Sequence, residues 1–462
     1  MPIIKSISGI RGTLGEKPGE GLDPLLIVQY CLAYATWLKR NRKSERINVV
    51  VGRDGRVSGE VLESLVASTL RAAGIDVIKT GHTTTPTIEM AVIFAKADGG
   101  IILTASHNPA NWNALKFFND KGEFISPETG RILLEMVEIC DFEMAAEHEI
   151  GTKKVNHNFL KEHVDAVINM PVVNRKAIAE ANFTVVADVI NSTGGIILPM
   201  LFDELGVKYK ILFGDCSGKF AHNPEPLPGH LTALSEAVIE MKADMGISVD
   251  PDVDRLALVC DDGKMFGEEY TLVAAADHIL SHKSGNTVSN LSSTQALRDV
   301  TEARGGQYTG AAVGEVNVVN MMKETDAIIG GEGNGGVIYP GLHYGRDALV
   351  GIALILSLMA ERNKSLSQLK AEYPAYFMSK NRVDLKPGTD VDGILSRIEE
   401  QVKDLCKNIN NVDGLKLEFG HEWAHLRKSN TEPIIRIYTE SRTEADADAL
   451  AKKFVELIEK NA

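Results

Sequence analysis

The sequence predicts an α/β protein of four domains: three similar mixed units with helices on both faces of a mostly parallel sheet, then a C-terminal α+β domain. Three observations predict this. β-branched runs alternate with helix-length crossovers rather than tight turns, the mark of parallel strands. The alternation occurs in three successive sets, and residues 371–462 then break it with strand-like runs between two helices. At 462 residues the chain exceeds one ordinary core, and length suggests roughly three or four domains.

The first set reads as a strand at 47–51, Gly52-Arg-Asp-Gly55, a helix at 58–73, a strand at 75–78, a helix at 86–95 and a strand at 101–103. The second has strands at 185–187, 209–213 and 245–249, with helices at 196–204 and 231–242 between them. The third opens on a hairpin signal, 256–260 and 264–266 about Asp261-Asp-Gly263. It continues with a helix at 269–280, a strand at 287–291, a helix at 295–303 and a strand at 327–329. The last segment has a helix at 394–405, three strand-like runs and a helix at 444–459. Boundaries fall near 150, 256 and 370, giving domains 1–150, 151–256, 257–370 and 371–462.

Hydrophobic content of 44% and charged content of 24% are those of a soluble globular chain. The net charge of −14 argues against non-specific binding to nucleic acid or an anionic membrane. It leaves room for an anionic substrate in a locally basic cleft. Five scattered cysteines show neither metal-ligand spacing nor a disulfide framework. No run approaches the ~20 apolar residues of a membrane span, and the longest, 348–360, reads as a buried helix. With no signal-peptide core at the N-terminus, the expected compartment is the cytoplasm.

Four polar segments carry the chemistry, each at a strand end or turn, where ligands of parallel α/β sheets bind. Thr104-Ala-Ser-His-Asn-Pro109 follows the apolar run 100–103 and delivers Ser106 into a polar turn. A lone turn serine is ordinarily only that, but Lys116 follows ten residues on. Asp250, Asp252 and Asp254 place carboxylates at i, i+2 and i+4, suited to one hard cation. A calcium hand is excluded because Arg255 and Asp261 stand where it needs Gly and Glu. Gly331-Glu-Gly-Asn-Gly-Gly336 lacks the Lys-Ser/Thr of a nucleotide P-loop, while Glu332 and Asn334 suit sugar hydroxyls. Arg427, Ser429, Asn430, Thr431 and Arg436 form a donor-rich cluster suited to phosphate. Solvated turns are the plain alternative for each.

The order and spacing of these segments resemble the α-D-phosphohexomutase family, from Ser8-Gly-Ile-Arg-Gly12 to Arg436. The resemblance implies a central cleft shared by the four domains. It makes Ser106 the carrier of the transferable phosphate, with His107 and Lys116 supplying hydrogen bonds and counter-charge, and Arg11 helping to hold it. It implies Mg²⁺ on Asp250, Asp252, Asp254 and an oxygen of phosphorylated Ser106, beside Arg255. Glu332 and Asn334 become the sugar loop, Glu315 a substrate-facing turn, and Arg427–Arg436 the phosphate clamp. The chain departs from the family pattern in three places: Ala114 and Pro251 stand where glycine is usual, and Gly336 where many members have histidine. His343 and Arg346 are the candidates to stand in for that histidine.

The expected reaction interconverts hexose 6-phosphate and 1-phosphate through a hexose 1,6-bisphosphate intermediate, with Lys116 as acid/base if its pKa falls in a cationic site. Glucosamine phosphate is the favoured substrate, in an archaeal-type branch where phosphoglucosamine mutases, phosphomannomutases and phosphoglucomutases are similar. A Mg-dependent sugar phosphatase and a non-catalytic sensor are the alternatives of other classes. The expected partner is a phosphorylated hexose only, without nucleic acid or membrane, on a monomer or homodimer.

Overall fold

Val49, Val50 and Val51 are all fully buried, yet they serve two cores. Val49 and Val51 join Ile101, Leu103, Val66 and Leu70 on one face, while Val50 joins Ile102, Ile88 and Val92 on the other. Alternation along a strand sends successive side chains to opposite faces, so a continuous apolar run means a sheet covered on both sides. The computed structural model describes the chain except residues 1–2, 7–8, 16, 18, 42–44, 387 and 430–432. It resolves into two units, Met1–Thr271 with Asn334–Ser367, and Leu272–Gly333 with Gln368–Ala462.

In the first unit, Asn48–Arg53 lies between the parallel strands Asp76–His82 and Gly99–Leu103 of a seven-stranded sheet. Trp112–Phe118 adds antiparallel to Gly99–Leu103, and Gly9–Thr13 adds to it in turn. The strand Trp112–Phe118 is absent from the sequence reading. Its Asn113 and Lys116 break the apolar run, and both are drawn inward by polar partners. The second sheet joins Lys208–Leu212, Thr184–Asp188 and Met245–Val249 in parallel. Leu256–Cys260 then pairs antiparallel with Met245–Val249. That strand therefore closes the second sheet instead of opening a third set, while 264–266 folds back on it as the expected hairpin, bridging Val259 to Met265 with Cys260 N–H on Lys264 O and Phe266 N–H on Leu258 O. The apolar 348–360 run is the buried helix Ala348–Arg362, capped by Asp347.

In the second unit, Asn286–Asn290 lies between the parallel strands Tyr308–Ala311 and Ala327–Glu332. The helix Glu315–Glu324 starts directly after the bend at Val313-Gly314. A five-stranded sheet follows, its four strand pairs all antiparallel. Leu415, Leu417, Leu426, Ile435 and Ile437 pack from it against Ile394, Ile398, Phe454 and Ile458 of Val391–Val402 and Glu444–Asn461. Among the described residues no helix is long and apolar enough to cross a membrane.

Candidate active site

Strand Gly99–Leu103 is buried throughout and carries the chain into a turn where Ser106 has φ 48°. A non-glycine residue in this region is uncommon, and the turn is tied down to hold it. Ser106 N–H donates to Thr104 Oγ1 at 2.9 Å, and Ser106 Oγ donates to Asp250 Oδ2 at 2.6 Å. His107 Nδ1 lies 3.3 Å from the same hydroxyl. The nucleophile candidate and the first carboxylate of the triplet, 144 positions apart, are thus in direct contact.

Asp250, Asp252 and Asp254 are each fully buried, with ligand atoms all within 4.8 Å of one another. Val253 between them has φ 62°, an outlier for a β-branched side chain. That kink lets Asp254 N–H and Arg255 N–H both fold back onto Asp250 Oδ1, at 3.2 Å each. Asp252 Oδ2 accepts from Thr85 Oγ1 at 2.6 Å and Lys116 Nζ at 2.7 Å. Asp254 Oδ2 accepts from Arg346 Nη2 at 2.6 Å. The other oxygens, Asp252 Oδ1 and Asp254 Oδ1, are buried with no hydrogen-bond partner among the described residues. Leaving such atoms unmatched is costly, and a hard cation would satisfy them. The donor set fits a divalent ion that prefers oxygen.

Three carboxylates this close cannot share charge equally. Burial, then repulsion from Asp254 and Asp252, raises Asp250 well above the ordinary range. Burial pushes Asp252 the same way, but Lys116, Asp250 and Thr85 reverse it and hold Asp252 low. Lys116 sits on the strand Trp112–Phe118 rather than in the Ser106 turn. Burial opposes its charge, yet Asp252 and Asp254 outweigh burial, so its pKa rises. The expected fall is corrected: acids, not cations, dominate around this lysine. His107 is driven down to about 2 by burial and by Arg255 and Arg11. Beside the unphosphorylated serine it is therefore a neutral hydrogen-bonding group. Arg11 Nη1 reaches Asn108 Oδ1 at 3.4 Å, and Arg255 Nε lies 4.0 Å from Asp254 Oδ1.

The two candidates to replace the missing histidine part company. His343 is buried with Nδ1 3.1 Å from Glu89 Oε2 and Nε2 3.1 Å from Asp347 Oδ2. His163 Nε2 lies 2.9 Å from the same Asp347 oxygen. Both nitrogens of His343 face carboxylates in this network, which leaves neither free to stand in for the missing histidine. Arg346 instead reaches the acidic triplet, and Gly336 makes room for it. A Cβ on Gly336 would stand 2.3 Å from Arg346 Cδ. The glycine where many family members have histidine is the space that the arginine fills.

In the second unit, Glu332 ends the strand Ala327–Glu332, and its Oε1 accepts from Asn290 Nδ2 and Gly314 N–H, each at 3.1 Å. Glu315, buried, is the first residue of its helix, directly after the bend at Val313-Gly314. In the first unit, Asn334 Oδ1 accepts from Gly336 N–H at 3.3 Å. Arg427 and Arg436 lie directly opposite one another on adjacent antiparallel strands, and Arg382 is opposite Arg436 on the next. Like charges so placed repel, and a bound anion would relieve them. Arg427 Nε also lies 2.7 Å from Asp413 Oδ2. Ser429 N–H donates to Ile434 O at 3.0 Å, while Asn430 and Thr431 lie outside the described residues.

The sequence reading missed Arg382, Thr85 and Arg56. Arg382 shows only once register aligns the strands. Arg56 follows Asp54 and pairs with it at 3.0 Å, while Arg53 lies 3.7 Å from Glu63 and 2.5 Å from His82 Nε2, so both residues of this strand end are salt-bridged.

A buried carboxylate triplet in contact with a serine hydroxyl, on repeated α/β units, suits phosphoryl transfer to and from that serine on a divalent metal. Comparison with known proteins makes it particular. Family models match four times: phosphoglucomutase/phosphomannomutase α/β/α domain I at residues 3–143, domain II at 161–263, domain III at 267–376 and the C-terminal domain at 382–457. A phosphoglucomutase/phosphomannomutase of Thermococcus kodakarensis is 34% identical over 98% of this chain and 97% of its own. A probable phosphoglucosamine mutase of Methanopyrus kandleri is 31% identical over 98% and 96%. A solved phosphoglucomutase/phosphomannomutase family protein of Burkholderia thailandensis superposes with TM-score 0.86 at 26% identity, covering 100% and 98%. The chain belongs to the α-D-phosphohexomutases, enzymes of intramolecular phosphoryl transfer on hexose phosphates.

Proposed function

We propose that this phosphohexomutase interconverts glucosamine 6-phosphate and glucosamine 1-phosphate, with Ser106 as the phosphate carrier. The observation that carries the Ser106 assignment is its 2.6 Å hydrogen bond to Asp250 of the buried triplet. In the forward half-reaction the bond from Ser106 Oγ to phosphorus breaks as one forms from phosphorus to the free hexose oxygen. The hexose hydroxyl proton leaves to a base and Ser106 Oγ regains a proton. The return half-reaction transfers the other phosphate of the bisphosphate to Ser106.

Asp250, Asp252 and Asp254, with an oxygen of the Ser106 phosphate, would hold Mg²⁺, which neutralises charge on a transferring phosphoryl group. Lys116, held protonated by its acidic neighbours, is assigned the acid half of the proton transfers. His107 donates or accepts as a neutral ring. Arg11 and Arg255 add positive charge beside the serine turn, where a phosphate carries about −1.5 to −2. Arg427 and Arg436, with Ser429 and the adjoining Asn430 and Thr431, are assigned the non-reacting phosphate, and Glu332, Asn334 and Glu315 the sugar.

The amino sugar is favoured by Glu332, a buried carboxylate able to offset a protonated 2-amino group, and by the relative named a probable phosphoglucosamine mutase. The relative named phosphoglucomutase/phosphomannomutase makes glucose and mannose phosphates the second reading. Assaying 1- and 6-phosphates of glucosamine, glucose and mannose side by side separates them. A higher kcat/KM for glucose or mannose phosphate than for glucosamine phosphate would overturn the amino-sugar assignment. Intact mass should also show a fraction heavier by one phosphate, absent in Ser106→Ala. Wild-type turnover in that variant would overturn the carrier.

A further inference from the structure

Arg56 is fully buried, and nothing in the chemistry above uses it. Its Nε donates to Asp54 Oδ2 at 3.0 Å. Its terminal nitrogens then donate to four backbone carbonyls of one loop: Ser106 at 2.6 Å, Asn108 at 2.7 Å, Pro109 at 2.6 Å and Trp112 at 2.9 Å. Phe220 covers the guanidinium, its ring centroid 5.0 Å away. Burying a guanidinium is expensive unless it is paired and fully hydrogen-bonded. Here the fork spans both sides of the turn that holds Ser106 at φ 48°.

Asp54 extends the brace. Its Oδ2 also accepts from Thr104 Oγ1 at 2.7 Å, and Thr104 Oγ1 in turn accepts from Ser106 N–H. Gly55 N–H donates to Ser192 Oγ at 3.0 Å, and Ser192 Oγ donates to Pro251 O at 2.6 Å. Residues 54–56 therefore grip the serine turn on one side and connect, through one hydroxyl, to the acidic loop on the other.

We infer that Arg56 is a positioning residue for phosphoryl transfer: its fork fixes the Ser106 turn in its left-handed conformation and in register with Asp250. The inference rests on Ser106 being the phosphate carrier. A lysine keeps the charge but cannot reach four carbonyls with one nitrogen, so Arg56→Lys should leave the turn free to relax. Thr104→Val removes the other arm, between Asp54 and Ser106 N–H, in nearly the same volume.

The test follows phosphorylation of Ser106 by glucose 1,6-bisphosphate, read by intact mass on dephosphorylated enzyme with its divalent metal. Bisphosphate affinity by calorimetry and melting by circular dichroism are measured alongside. A misplacement near 1 Å can cost ~100-fold in rate. Arg56→Lys should lose about that much, and Thr104→Val about tenfold, with bisphosphate affinity within about twofold of wild type, because the nucleophile and not the binding surface has moved. Equal phosphorylation rates in wild type and both variants would overturn the inference. So would losses that only track the unfolded fraction or the affinity. If Arg56→Lys does not fold, Thr104→Val decides alone. If wild type acquires no phosphate on Ser106 while Ser106→Ala turns over, the carrier reading itself fails, and this inference with it.

Discussion

The Ser106 centre and the arginine row of the second unit both suit phosphate, but they are built oppositely. Around Ser106 the acids are fully buried, each is already in contact with a neighbouring group, and two non-glycine residues hold left-handed backbone. Arg382, Arg436 and Arg427 instead stand on regular antiparallel strands, Arg436 and Arg382 exposed. A centre that makes and breaks bonds needs atoms fixed to a fraction of an ångström. A clamp that accepted either phosphate of a bisphosphate, the role proposed for the arginine row, would need charge and tolerance. Strain is found where chemistry is proposed, and regular sheet where only binding is.

The comparison breaks most directly at the carboxylates. Asp252→Asn should bring mutase activity to background, as should chelation of divalent metal, with added Mg²⁺ restoring only the wild type. Among the described residues, Asp252 Oδ1 is one of the two triplet oxygens buried without a hydrogen-bond partner, so the substitution removes ligand charge and, with it, the ion pair from Lys116 to Asp252 Oδ2. Wild-type activity and metal dependence in Asp252→Asn would remove the triplet from the mechanism.

The tolerant site should lose less and lose it evenly. Removing a charged hydrogen bond costs about 1.5–3 kcal/mol, or roughly tenfold to more than a hundredfold. Arg427→Ala should weaken 1-phosphate and 6-phosphate substrates by similar factors and leave Ser106 phosphorylation intact. A loss confined to one of the two would mean that the clamp does not alternate between phosphates.

A smaller effect probes the space between Gly336 and Arg346. Gly336→Ala places a methyl 2.3 Å from Arg346 Cδ, and the side chain must swing off Asp254. The variant should lose about tenfold in activity, the order expected for one charged hydrogen bond, and Arg346→Ala a similar amount. The double variant should be no worse than either single one, since both break the same contact. Additive losses would mean that the glycine serves another purpose.

These differences also set what the sequence could reveal. Ser106 and the Asp250–Asp254 triplet were legible because short motifs after apolar strands concentrate chemistry in a few adjacent positions. Ala348–Arg362 was legible because an unbroken apolar run of that length has to be buried. Trp112–Phe118 was not, since Asn113 and Lys116 face polar partners inside the fold and spoil the alternation. Leu256–Cys260 reads as the start of a new unit because an Asp-Gly turn follows it, but pairing with Met245–Val249 is long-range information. Arg56 and Arg382 depend wholly on tertiary neighbours: four carbonyls for one, cross-strand register for the other. His343 looked available for chemistry because nothing local shows that Glu89 and Asp347 enclose it.

That enclosure has a consequence for stability rather than for rate. Burial alone would lower the His343 pKa, but Asp347 and Glu89 more than reverse this and raise it to about 10. An unfolded imidazole titrates near 6.5. The folded state therefore binds the extra proton between these values, and stability falls with pH wherever the folded state holds more protons. The contribution is complete below about 6.5 and is lost as pH rises through about 10. His343→Gln should melt below the wild type at pH 6, and the gap should narrow progressively toward pH 10. Taking the difference cancels the lysines, tyrosines and cysteines that titrate in both proteins. The neighbouring His163 also reaches Asp347, so a His163→Gln control shows whether the narrowing belongs to His343. A gap in melting temperature that stays constant from pH 6 to 10 would mean that His343 is held by shape and not by its charge.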